Sequence, residues 1–315
     1  MRKYRFVITS SALVLLCIHA AAQTPDSAQR FFKQAQKKYA QGDLASASED
    51  FSRAIELSSR LDSPKRTVPD TSRVQIQFSA VDYGANIRVI DPFTARAYAG
   101  RGAVKIRQGF LDDALADFNA ALRIDPRLDV AYVNRGVIYR TKGESDAAGA
   151  DFDRAIAINP KMFEAYTNRA DVRLDRKDVE GALKDLDRAL ALAPKSAETH
   201  SLRGYALLAK NESDPAIASF NRAIEINSHL ASAFHGRGTA QVRRGAYESA
   251  IADFNRALEI NPDLAIGYMN RGLTFVLKGD ELRAQQDFER CLALKPELKA
   301  ELTRRIELAK EVRKP

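Results

Sequence analysis

At 315 residues the chain has room for two ordinary domains or for one long array of internal repeats. Hydrophobic residues make up 45% and charged residues 29%, a balance that excludes a disordered chain. Lys and Arg number 49 against 41 Asp and Glu, a net charge of +8 without basic clusters. That spread excludes a nucleic-acid footprint, which would gather Lys and Arg on one stripe or arm.

The chain begins with a positive Arg2-Lys3-Tyr4-Arg5 segment, and an apolar stretch from Phe6 to Ile18 follows that is too short to span a bilayer comfortably. Ala20-Ala21-Ala22 then supplies small residues before Gln23. Residues 1–22 are therefore expected to be a secretory signal peptide, with an uncleaved N-terminal membrane anchor facing the periplasm as the competing reading. Removing them leaves 46 basic and 41 acidic groups, a net of +5. Cys17 leaves with the leader, so Cys291 is the one remaining thiol and no internal disulfide is expected. No later run of about 18 apolar residues occurs, so the mature chain is expected on the exported side, periplasmic in a Gram-negative source, without membrane insertion.

Residues 28–61 carry Phe31, Ala35, Gly42, Ala47, Phe51 and Ala54 at places that recur further on with a period of 34, and they read as a divergent first repeat. Residues 62–94 break the register. Ser63-Pro64, Val68-Pro69 and Asp91-Pro92 punctuate this stretch, and Val74 to Phe78 alternates as a strand would, with Asn86 to Ile90 able to complete a hairpin. Two readings stay open: a partner-binding insertion, or a degenerate repeat, because Ile90-Asp91-Pro92 matches the later block ending Ile124-Asp125-Pro126.

From Ala95 to Leu298 six 34-residue blocks follow without a gap, starting at Ala95, Asp129, Phe163, Ala197, Ala231 and Ala265. The fourth place is bulky (Tyr98, Tyr132, Tyr166, His200, Phe234, Tyr268) and the eighth is small (Gly102, Gly136, Ala170, Gly204, Gly238, Gly272). Ala stands at every twentieth place. Phe or Leu follows at Phe118, Phe152, Leu186, Phe220, Phe254 and Phe288. Spacings of three, four and seven put one apolar stripe on each of two helices per block. Gly109, Gly143, Gly245 and Gly279 fall between them, where a helix C-terminus favours a left-handed residue, and a proline closes every block except the one ending at Ser228. Residues 299–315 place Leu302, Ile306 and Ala309 on one side of a helix with charges opposite, which predicts a C-terminal capping helix.

Little here can carry chemistry. Every notable polar residue recurs at the repeat period, which argues for architecture rather than for an enzyme. His200, His229 and His235 lack a partner set for a metal, no glycine-rich phosphate loop follows a strand, and no cofactor is implied. The most regular charges are Arg101, Arg135, Arg169, Arg203, Arg237 and Arg271 at the seventh place, with Asp117, Asp151, Asp185, Asp253 and Asp287 at the twenty-third. Guanidinium and carboxylate are expected to pair between the two helices of a block as a structural ladder. An anion-binding stripe is the alternative.

This pattern resembles the tetratricopeptide repeat family, in segments such as Ala131-Tyr-Val-Asn-Arg-Gly136 and Ala252-Asp-Phe-Asn-Arg-Ala257. The resemblance implies an all-α, right-handed superhelical solenoid of helix-turn-helix units whose first helices line a concave groove. Partner-facing residues are then implied at Arg96, Arg107, Asn134, Arg140, Asn168, Asp171, Tyr205, His235, Met269 and Asn270, zoned from basic through acidic to apolar. Ala99, Val133, Thr167, Ser201, His235 and Met269 stand at the fifth places, so the family's carboxylate clamp is not reproduced. The function implied is a non-enzymatic scaffold for protein or peptide partners in the cell envelope. A regulatory or substrate-presenting subunit of an envelope enzyme on another chain is the alternative, and self-association through exposed solenoid ends is a third reading.

Overall fold

The computed structural model describes residues 26–59 and 92–313. The leader and the whole predicted hairpin lie outside them. Among the described residues there are fifteen α-helices and no strand. They divide into two compact units, residues 1–160 and 161–315.

Unit 1 holds three helix pairs: α1 (Asp26–Gln41) with α2 (Leu44–Ser59), α3 (Pro92–Gln108) with α4 (Leu111–Ile124), and α5 (Asp129–Thr141) with α6 (Ser145–Ile158). Helix α3 starts three residues ahead of the first regular block. Phe93 packs on Phe32 with ring centroids 5.1 Å apart, and the Thr94 hydroxyl donates to Ser58 Oγ at 2.9 Å, so burial recruits these residues into the helix. Unit 2 holds α7 (Phe163–Asp175) with α8 (Val179–Leu192), α9 (Ala197–Ala209) with α10 (Ser213–Ile226), α11 (Ala231–Arg243) with α12 (Tyr247–Ile260), and α13 (Ala265–Lys278) with α14 (Glu281–Leu294). A 3₁₀ turn over Pro296–Leu298 leads into α15 (Lys299–Arg313).

The turn inside each pair is a left-handed residue that ends the first helix. Gly42, Gly109, Gly143, Gly245 and Gly279 have φ between +75° and +86°. In α3 the amide after this glycine, Phe110 N–H, returns to the Lys105 carbonyl at 2.9 Å and caps the helix. Lys177 and Asn211 fill the same place at φ +63° and +65° without glycine's freedom. From α4 onward each second helix ends on an extended residue. Asp125, Asn159, Ala193, Asn261 and Lys295 all precede a proline, which disfavours helical ψ before it. Asn227 takes the same conformation before Ser228, so packing suffices where proline is missing.

The core is the seam between paired helices. Phe118, Phe152, Phe220, Phe254 and Leu186 are fully buried, and each is expected to contribute about 1.5–3 kcal/mol through burial. The small eighth residue makes room for the ring. A Cβ built on Gly136 would stand 2.7 Å from Phe152 Cε1. Where Ala170 takes the glycine's place, Leu186 takes the ring's.

Candidate interaction surface

Within each unit the first helices lie close to one another, α1 by α3 by α5 and α7 by α9 by α11 by α13, while the second helices do not approach each other to that extent. The first-helix side is therefore the inner, concave side of each unit. The seam and the second helices spend their polar groups internally. Arg135 Nε and Nη2 donate to the two oxygens of Asp151 at 2.8 and 2.7 Å, and Arg101 with Asp117, Arg169 with Asp185, Arg237 with Asp253 and Arg271 with Asp287 repeat this fork at 2.6 to 3.0 Å. Each of these guanidiniums also lies over the ring at the fourth place, 5.3 to 5.6 Å from its centroid. The carboxylate's hydrogen bonds push the Arg101, Arg135 and Arg271 guanidiniums above their ordinary pKa.

A third bond had no counterpart in the sequence argument. Arg135, Arg237 and Arg271 donate through Nη1 to Asn119, Asn221 and Asn255 of the preceding second helix at 2.6 to 2.7 Å, and Arg101 reaches Ser52 at 3.2 Å. One arginine thus joins its own pair and staples it to the previous one. The asparagines recur with the same 34-residue period, a signal the sequence carried in plain view. Arg203, facing Ser219 instead of an aspartate, turns Nε to Asp187 at 2.9 Å. Each of the forked guanidiniums already has its charge answered by a buried carboxylate, which favours the structural ladder over an anion-binding stripe.

The residues assigned to the groove fare differently. In unit 1, Arg96 folds back on its own helix, donating from Nε to the Pro92 carbonyl at 3.3 Å. Arg107 stacks over Tyr39 at 4.8 Å and donates to the Tyr39 carbonyl at 3.1 Å, closing the end of α1. Arg140 is half-buried, and Asn134 is 7% exposed inside the helix layer.

In unit 2, Asn168 and Asp171 are buried on α7. Asn168 Nδ2 donates to the Glu164 carbonyl at 2.8 Å, one turn back on the same helix. Asn134 and Asn168 are therefore buried amides and not the open partner-facing groups that the resemblance implied. Tyr205, His235 and Asn270 form one chain of hydrogen bonds across three first helices. Tyr205 donates to the Ser232 carbonyl at 2.7 Å, its oxygen lies 3.1 Å from His235 Nδ1, and His235 Nε2 lies 2.9 Å from Asn270 Nδ2. Arg305 donates to Asn270 Oδ1 at 3.4 Å, which turns the amide nitrogen toward the ring. With the amide so turned, His235 Nε2 is placed to accept from Asn270 and Nδ1 faces the Tyr205 oxygen.

Met269 is a correction. It is fully buried in the cluster of Val276, Leu302 and Ala309, because α15 covers this stretch of α13. The apolar end of the first-helix face is occupied by the chain's own last helix. On α7 and α9 of unit 2, Asp175 is exposed and Glu164, Glu198, Leu202 and Tyr205 are half-buried, a stretch with acidic groups at its edges. Among the described residues no three His, Cys, Asp or Glu side chains gather as metal ligands would, and no helix is long and apolar enough to cross a membrane.

Family models described as tetratricopeptide repeat match residues 99–163, 167–231 and 265–298, and one described as TPR repeat matches residues 239–279. The chain belongs to the tetratricopeptide repeat family. The APC/C hetero-tetramer Cut9–Hcn1 shares the fold at a TM-score of 0.64 and 18% identity, over 67% of this chain and 42% of that one. This chain thus corresponds to less than half of that relative. A tetratricopeptide repeat protein from Parabacteroides merdae ATCC 43184 matches at 0.62 with 20% identity, over 89% and 99% of the two chains. PilF of Pseudomonas aeruginosa matches at 0.56 with 19% identity, over 66% and 97%. Among curated proteins none matches the sequence. Tetratricopeptide repeats in general serve as protein-interaction scaffolds and typically not as catalysts.

Proposed function

We propose that this tetratricopeptide repeat protein is a non-enzymatic scaffold of the cell envelope that holds a partner protein or peptide on its first-helix face. One observation carries the reading. Residues that recur from repeat to repeat are consumed by the helix seams and the arginine staples, whereas first-helix places off the seam change along the array: the second place reads Arg96, Val130, Glu164, Glu198, Ser232 and Ile266, and the ninth and thirteenth give Asp171 and Asp175 in one pair but Tyr205 and Ala209 in the next. A surface free to vary on a repeated frame is where a repeat protein keeps its specificity. Its acidic edges suit a partner carrying basic residues. Export to the periplasm is proposed from the basic and apolar order of residues 1–22.

The test is affinity capture from native envelopes with residues 23–315 as bait, beside a Glu164→Ala, Asp175→Ala, Glu198→Ala variant. The buried Asn134 and Asn168 would confound such a variant through misfolding. A partner held by the first and lost by the second, at equal circular dichroism, supports the assignment. Identical capture by both overturns it. Fractionation with N-terminal sequencing tests the location: a periplasmic chain starting at Gln23 is expected, and a chain retained in the membrane with residues 1–22 present would replace export with anchoring.

A further inference from the structure

The last helix of unit 2 departs from the packing of the others. Beyond their own pair partners, first helices α9, α11 and α13 each settle chiefly on the second helix that precedes them, α8, α10 and α12. Helix α15 follows α14, yet it packs chiefly on the first helix α13. The 3₁₀ turn at Pro296–Leu298 fills the last three places of the sixth block, and α15 starts at Lys299, where the first helix of a further block would begin. Leu302 and Ala309, with Ile306 beside them, cover Met269, Leu273, Val276 and Leu277. Arg305 reaches Asn270 Oδ1, and Arg313 donates to the Val276 carbonyl at 3.1 Å. Among these α13 residues, Met269 and Asn270 are ones that the family resemblance places in the groove.

The hold is light. Helix α15 buries only Leu302 and Ala309, whereas α13 buries seven residues. Its ion pairs, Arg305 with Glu301 and Arg313 with Glu281, involve side chains 37% to 53% exposed and contribute little in water. Leu308 and Val312 point the other way, 49% and 73% exposed, so the helix carries apolar side chains on its open side as well. A helix laid on a groove by aliphatic anchors at i, i+4 and i+7 is also the way one protein takes up a helix of another.

We infer that α15 is a built-in competitor for the α13 end of the interaction face, and that the partner it excludes is an amphipathic helix with α15's own arrangement: aliphatic side chains spaced as Leu302, Ile306 and Ala309, with an arginine where Arg305 stands. This rests on the first-helix face being the partner site, and it names which part of that face is taken and by what chemistry. A tethered helix competes at high effective concentration, so a free helix gains access in proportion to the fraction of chains in which α15 has opened.

The probe is a labelled synthetic peptide of residues 299–313, followed by fluorescence anisotropy. It is titrated with residues 23–315 and with the same chain carrying Leu302→Asp and Ile306→Asp, which releases α15. The released chain is expected to bind the peptide at least about tenfold more tightly than the unaltered chain. A peptide carrying the same two aspartates is expected to bind neither. Equal affinity for both chains, or binding to neither, overturns the inference. A doubling of mass of the unaltered chain in light scattering that the Leu302→Asp, Ile306→Asp chain does not show also overturns it, in favour of exchange of α15 between two copies.

If the released variant does not fold, hydrogen exchange of the unaltered chain decides. The amides of α15 are expected to exchange at least about tenfold faster than those of α13, as an independently opening segment does. Equal protection would sink the inference. A peptide that fails to bind while the Glu164, Asp175 and Glu198 variant still loses its captured partner removes the competitor alone. Failure of both removes the interaction face.

Discussion

Adding one methyl group at Gly136 measures how closely the two helices of a repeat approach. The new Cβ would lie 2.7 Å from Phe152 Cε1, and Phe152 is fully buried, so the ring has nowhere to swing. Overpacking of this kind costs about 1–3 kcal/mol. Replacing a mid-helix glycine returns about 0.5–1 kcal/mol of backbone entropy. The net expected for Gly136→Ala is a loss of about 1–2 kcal/mol. Phe152→Leu alone leaves a partial cavity and is expected to cost about 1–2 kcal/mol, less than the roughly 3–5 of truncation to alanine.

The double variant reproduces the Ala170 and Leu186 pairing that unit 2 already contains, so it is expected to be about 1 kcal/mol more stable than the sum of the single losses. Urea unfolding of the full chain followed by circular dichroism measures all four corners of the cycle. Additivity within about 0.5 kcal/mol, or a neutral Gly136→Ala, would refute the contact. Gly136→Leu, which drives three further carbons into the ring, is expected to cost more than the alanine.

Asp253→Ala strips Arg237 of both fork bonds. Because that guanidinium is 23% exposed and keeps Asn221, a loss of about 2–3 kcal/mol in urea unfolding is expected, below the roughly 3–5 of a fully buried pair, and an unchanged midpoint would remove the ladder's structural role. Lys177→Gly relieves a left-handed lysine at φ +63°. The relief of about 1–2 kcal/mol exceeds glycine's entropic cost of about 0.5–1 kcal/mol, so a rise in melting temperature is expected and a fall would contradict it. Burial pushes the Cys291 thiol pKa up and closes it to solvent, so iodoacetamide at pH 8 is expected to label it only in denaturant; rapid labelling of the folded chain would show that the α13–α15 cluster opens.

Much of the site's frame was legible before any coordinates. Tyr132, Gly136, Ala148 and Phe152 recur with their counterparts at a constant spacing, and a fixed spacing on a helix is already a fixed face. The Arg135 and Asp151 pairing followed the same reasoning, and the geometry places these two side chains in a fork. The Asn119 bond was missed although its period is equally plain, because recognising it requires knowing which helix of the previous repeat lies within reach.

The sequence by itself determined the repeat period, the helix pairing and the seam, since these depend on contacts within about one turn or between two adjoining helices. Tertiary structure decided how exposed the register's groove places are. Asn134 and Asn168 look like a free polar row in the sequence but are buried in the folded chain, and Asn168 turns its amide to its own helix. Lys177 and Asn211 take the left-handed turn against their own preference, because packing of the pair outweighs a local cost of about 1–2 kcal/mol. Met269 lies beneath α15 for the same kind of reason. A helix's own periodicity says which side is apolar, but which neighbour that side covers is settled only where the repeat register ends and the 3₁₀ turn at Pro296–Leu298 sends the chain back over α13.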